Sequence, residues 1–96
     1  MLRLPVIEYF IESLKIKDLD NCLLALSGLK VLLEYGKEIK ISYDYKENIV
    51  KKQIEHLNGH EMIEKCGKSL NMEISSLSNT IFNQFFSKDE SNKLNN

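Results

Sequence analysis

The chain is short of nearly everything that marks a catalytic, secreted or membrane protein. It has no tryptophan, one proline, two cysteines and four glycines in 96 residues. A single proline leaves long stretches free to be helical, and the four glycines, at 28, 36, 59 and 67, do not have the spacing of a phosphate-cradling loop. No apolar run approaches the roughly 20 residues of a membrane span. The start, MLRLPVIEYF, has neither an apolar h-region nor a small-residue cleavage site, so no secretory signal is read there. Charge of one sign is missing as well. Residues 1–48 carry seven basic and eight acidic side chains, residues 49–96 carry six of each, and the net charge is −1. That balance argues against nucleic acid and anionic membranes as partners. Cys22 and Cys66 stand far apart in sequence without metal-ligand spacing, and two thiols on helices in a leaderless chain read as reduced core residues.

What is present is helical periodicity. Apolar residues make up 43% of the chain, ordinary for a folded domain, although so short a chain buries only about 60% of its unfolded surface. Pro5 suits a first helical turn, and Val6, Ile7, Phe10, Ile11 and Leu14 recur at helical spacing. Lys15 to Lys17 is a turn, and Asp18 caps the next helix. Leu19, Cys22, Leu23, Leu26, Leu29 and Leu33 form the stripe of that helix, widened by Leu24, Val31 and Leu32, which predicts a helix buried between neighbours. Gly28 inside it implies close packing, and Gly36 reads as its C-cap. Ile39, Ile41, Tyr43 and Tyr45 alternate with polar residues, but a lone strand has no partner, so residues 37–46 are predicted to be an extended inter-repeat loop.

Glu47 to Leu57 returns to helix and ends at Asn58-Gly59; Glu61 to Cys66 is a short helix; Ser69 or Asn71 caps a last helix whose stripe is Ile74, Leu77, Ile81 and Phe85, joined by Phe82 and Phe86. The polar residues 87–96 read as a frayed tail. The halves echo one another. Ile7-Glu8 and Ser13-Leu14 match Ile63-Glu64 and Ser69-Leu70 at one offset, and with a one-residue shift Leu19, Cys22 and Leu26 match Ile74, Leu77 and Ile81. The period exceeds the ~40–47 residues of armadillo and HEAT units, with the 37–46 loop as the surplus. The expected fold is all-α, an armadillo-type solenoid of about five helices. Residues 1–36 would be a first helix pair, 37–46 a loop, 47–86 a three-helix unit, and 87–96 a disordered tail.

The ordered series PVIEYFIESLKIKD, GLKVLL and Lys52 to Phe86 resembles the C-terminal end of the importin-alpha (karyopherin-alpha) family, armadillo-repeat adaptors of nuclear import. Pro5, Phe10, Leu14, Lys17, Asp18, Gly28 and Leu29 stand in matching places in the first half. Ile54, Glu55, Gly59, Glu61, Ile63, Glu64, Ile74, Leu77, Ile81, Gln84, Phe85 and Phe86 do so in the second. The resemblance covers roughly Leu4 to Glu90. It implies that the pair in residues 1–36 is helices 2 and 3 of a penultimate repeat and that the triple in residues 47–86 is a terminal repeat. It implies a non-enzymatic protein-binding module, shared between cytoplasm and nucleus, recognised for recycling by the importin-alpha export receptor with Ran-GTP. The family grips basic signals with tryptophan and asparagine ladders. Here tryptophan is absent, and Ser27 and Val31 stand where the ladder would run, so no signal-binding residue carries over. The basic domain that binds importin-beta and helix 1 of the first repeat have no counterpart. The region of Phe10 and Leu24 should therefore lack cover, leaving a chain that is weakly stable, self-associating or part of a longer product. A generic armadillo or HEAT scaffold unrelated to transport is the alternative.

Several constellations resemble chemistry. His56 and His60 have the spacing of a helical metal pair, but Asn58-Gly59 separates them. His60-Glu61-Met62-Ile63-Glu64 starts like a zinc-protease motif and has Glu64 where the second histidine belongs. Cys66 with His60 lacks an orienting third group. Together these residues define the enzyme or metal-protein alternative. Glu61 and Glu64 read as a solvated acidic face, and Tyr43 and Tyr45 as loop-packing residues or a binding surface. No catalytic, cofactor-binding or metal-binding residue is assigned, no cofactor is expected, and partner-contacting residues are not specified.

Overall fold

The structure, a computed structural model, describes residues 4–16 and 18–86. The tail assigned to residues 87–96 lies outside the described residues, as does Lys17. Five α-helices follow one another: α1 (Pro5–Leu14), α2 (Leu19–Ser42), α3 (Ile49–His56), α4 (Gly59–Cys66) and α5 (Met72–Ile81). Helix α5 widens at its end into a π-helical turn, Phe82–Phe86. No strand occurs among the described residues, so the chain is all-α as expected.

Local sequence explains where each helix begins. Pro5 opens α1 behind an extended Leu4. The Leu4 backbone has no side-chain cap and finds its partner far along the chain. Its N–H donates to Gln53 Oε1 at 3.1 Å, and Gln53 Nε2 donates back to the Leu4 carbonyl at 3.2 Å. Asp18 Oδ1 accepts from the N–H groups of Asp20 and Asn21 and caps α2. Asn48 caps α3 through Val50 and Lys51, and Asn71 caps α5 through Ile74.

The largest departure from the sequence reading is α2, which does not stop at Gly36. It runs on to Ser42, and residues 37–42, expected in a loop, are helical. At 24 residues it is about 36 Å long. Gly36 is buried inside the helix and has no positive φ, so it does not terminate anything. It lets α3 approach: a Cβ there would run into Asn48 Oδ1 and stand 3.0 Å from Val50 Cγ2. The true end is a Schellman motif built without glycine. Asp44 takes the left-handed conformation (φ 56°), Tyr45 N–H donates to the Lys40 carbonyl at 2.9 Å, and Asp44 N–H reaches the Ile41 carbonyl at 3.4 Å. The alternation of Ile39, Ile41, Tyr43 and Tyr45 therefore spans a helix end.

Asn58-Gly59 also divides its labour differently from the usual glycine cap. Asn58 is the left-handed residue (φ 61°), and Gly59 is already the first residue of α4. Gly59 is buried because a Cβ would stand 2.6 Å from Ile11 Cδ1.

The core is one cluster: Ile7, Ile11 and Leu14 of α1, Cys22, Ala25, Leu26, Leu29 and Leu33 of α2, Val50 and Ile54 of α3, Ile63 of α4, Ile74 and Ile81 of α5, and Phe86. Ser78 lies fully buried among them, with its hydroxyl donating to the Ile63 carbonyl. Helix α2 packs on α1, α3 and α5, α1 packs on α4, and α4 packs on α5. The long helix is not buried around its circumference, however. Leu19, Leu24 and Val31, counted above as part of its apolar surface, face solvent.

Candidate functional site

The residues that resembled chemistry do not converge. His56 is the exposed last residue of α3. His60 lies beyond the left-handed Asn58, half-buried on the first turn of α4. Its ring stacks on Phe86, with centroids 6.3 Å apart and planes at 21°, and its Nδ1 has no partner. Lys51 sits over the same Phe86 ring, 5.9 Å from the centroid. His60 is thus held as a packing residue of the α4–Phe86 contact. Glu61 and Glu64 are exposed on α4. No group of three His, Cys, Asp or Glu side chains suited to a metal ion occurs among the described residues.

Both cysteines are free thiols. Cys22 is buried and its Sγ donates to the Ile16 carbonyl at 3.6 Å. Cys66 is half-buried at the end of α4. Burial pushes its thiol above its ordinary value, and the Cys22 thiol pushes the same way. Far apart in sequence, the two thiols are therefore near enough to feel each other. A thiol held protonated is a poor nucleophile.

Tyr43 and Tyr45 are exposed and stack on one another, with centroids 5.9 Å apart, astride the left-handed Asp44. They do not pack the loop onto the body of the protein. A cavity of about 240 Å³ opens between Glu8, Ile11, Glu12 and Leu57.

Several large apolar side chains of α1 and α2 are exposed. Val6 and Tyr9 of α1 and Leu24, Val31 and Tyr35 of α2 are each between 41 and 64% exposed. Residues 24, 28, 31 and 35 lie one helical turn apart, so they form a single stripe along α2. At its centre Gly28 receives the Phe10 ring; a Cβ there would stand 2.5 Å from Phe10 Cζ. Phe10 in turn lies 5.7 Å from Tyr9, centroid to centroid. The two helices therefore present one continuous apolar face. Leu24 is exposed, whereas Phe10, expected to lie open beside it, is half-buried against Gly28.

Among the described residues the chain is all-helical, with five α-helices and an apolar face along the first two. Set against known proteins, it matches no family model, no curated protein and no solved structure. No helix among the described residues is long and apolar enough to cross a membrane.

Proposed function

We propose that the chain is a non-enzymatic protein-interaction module of the kind found at the C-terminal end of importin-alpha, acting in nuclear protein import and recognised by the importin-alpha export receptor with Ran-GTP. The supporting observation is the order of helix contacts. Helix α1 lies on α4 and α2 lies on α5, their counterparts in the following triple, and both also lie on α3. Successive units of a helical solenoid stack in this way. Part of the internal echo in the sequence goes with that pairing: Ile7 and Ile63 occupy matching places, as do Leu26 and Ile81, and all four are fully buried, whereas Leu14 is buried and its match Leu70 exposed, and Leu19 is exposed and its match Ile74 buried.

The reading places the protein in both cytoplasm and nucleus. Val31 is exposed and aliphatic where a ladder asparagine would offer an amide, so gripping an extended basic signal is not part of the proposal. That substitution, together with the apolar face beside it, favours a second reading as an armadillo or HEAT scaffold with partners outside transport.

Capture of the purified chain by the export receptor, with Ran held in its GTP form and then in its GDP form, tests the first reading. Selective capture with Ran-GTP is expected. Equal capture in both states, or none from a chain that circular dichroism shows to be helical, rejects transport and leaves the scaffold.

A further inference from the structure

We propose that the apolar face shared by α1 and α2 is a docking surface for an amphipathic helix whose apolar stripe is flanked by lysine or arginine. Its side chains expose on the order of 500 Å², toward the upper end of what a monomer carries without a partner. The stripe spacing of residues 24, 28, 31 and 35 matches the turn repeat of an incoming helix, and Phe10 lies against Gly28 where the two helices meet.

The charge around the face selects the occupant. Asp20 stands four residues before Leu24, Glu34 three after Val31, and Glu38 three after Tyr35, so all three flank the stripe. On α1 Glu12 stands three residues after Tyr9. None of the lysines of α2, Lys30, Lys37 and Lys40, is three or four residues from a stripe residue. Glu34 is neutralised by Lys30 at 2.9 Å and Glu12 by Lys15 at 3.0 Å. Asp20 and Glu38 are exposed and make no ion pair among the described residues. An apolar stripe with an acidic margin is complementary to a helix with a basic margin. A second copy of this chain would set the same acids against one another, which like-charge repulsion disfavours. The docking surface does not depend on the transport reading, since neither Ran nor the export receptor enters it.

The test uses the full chain and two fluorescein-labelled 18-residue helical peptides of identical leucine stripe, one flanked by lysine and one by glutamate. Anisotropy is expected to give saturable binding of the lysine peptide, at least about tenfold tighter than the glutamate peptide at low salt, with the gap narrowing as salt rises. Val31→Lys should weaken the lysine peptide at least about tenfold while circular dichroism stays unchanged. The double variant Asp20→Lys, Glu38→Lys should invert the preference between the peptides. Equal binding of both peptides overturns the proposal, as does absence of binding by a folded chain. Sedimentation as a dimer that Val31→Lys dissociates overturns it too, and assigns the face to a second copy.

Discussion

The two ends of the molecule treat their apolar side chains in opposite ways. Along α1 and α2, and in the turn between them, Val6, Tyr9, Ile16, Leu19, Leu24, Val31, Tyr35 and Ile41 all face solvent. From α3 to the π-helical turn only Leu70 and Met72 do so, side by side at the corner leading into α5. The same core joins both ends, so the contrast is one of sidedness. Helices α3, α4 and α5 find partners for their apolar faces within the chain. Helices α1 and α2 have the core on one side and a further set of exposed apolar side chains on the other. A helix amphipathic toward two directions is a helix built for two contacts, and this chain supplies one of them.

Matched truncations separate the two surfaces most sharply. Ile54 is fully buried where α3 meets Gly59, so Ile54→Ala is expected to cost about 2–5 kcal/mol in denaturant unfolding. Val31 lies on the open face; Val31→Ala removes exposed carbon and replaces a β-branched residue with the best helix former, so its effect should stay within about 0.5 kcal/mol of zero. A loss at Val31 approaching that at Ile54 would mean that the open face is already covered in solution. The comparison would then fail.

The next effect concerns the joint between the two ends. Asn48 Oδ1 caps α3, and its Nδ2 donates to the Leu33 carbonyl of α2 at 3.0 Å, so one side chain fastens the long helix to the C-terminal three. Asn48→Ala should cost about 2 kcal/mol, combining a lost cap with a lost hydrogen bond at a part-buried site. Asn48→Asp keeps the capping oxygen and loses the donor, so it should recover about half of that loss. Identical losses in the two variants would show that the bond to Leu33 carries the whole contribution.

This joint also marks the limit of what the residues reveal before folding. Asp18 and Asn71 are legible as caps because capping is local chemistry, completed within three residues. Most of the stripes of α1 and α5 is legible because period 3.6 needs no knowledge of neighbours, although Val6, read into the first, faces solvent and Ser78, left out of the second, is fully buried. Gly36 is misread because its reason lies twelve residues away, in an asparagine that approaches from another helix. Its presence suggested an end, and the alternating Ile39, Ile41, Tyr43 and Tyr45 then made the remaining turn and a half of α2 look extended. Gln53, a surface residue by type, is buried because the Leu4 backbone needs both its donor and its acceptor. The open face could be read only in part. A wide apolar circumference is visible in Leu24 and Val31, but whether a neighbour covers it is a property of the whole fold.

The smallest expected effect ignores sidedness altogether and so serves as a control on it. Asp44 ends α2 and Asn58 divides α3 from α4, and both hold a left-handed backbone without being glycine. That conformation crowds a Cβ against the next carbonyl, at a cost of roughly 1 kcal/mol that aspartate and asparagine partly relieve. Glycine removes the crowding and adds freedom to the unfolded chain, and these two contributions oppose each other. Asp44→Gly and Asn58→Gly should therefore each shift stability by no more than about 0.5 kcal/mol, toward greater stability, as read from denaturant midpoints at unchanged slope. The shifts should be alike although one residue closes the open pair and the other lies inside the closed triple. A gain at Asn58 with a loss at Asp44 would show that the Asp44 side chain contributes something beyond its backbone angle. The stacked Tyr43 and Tyr45 on either side of it are where that contribution would act.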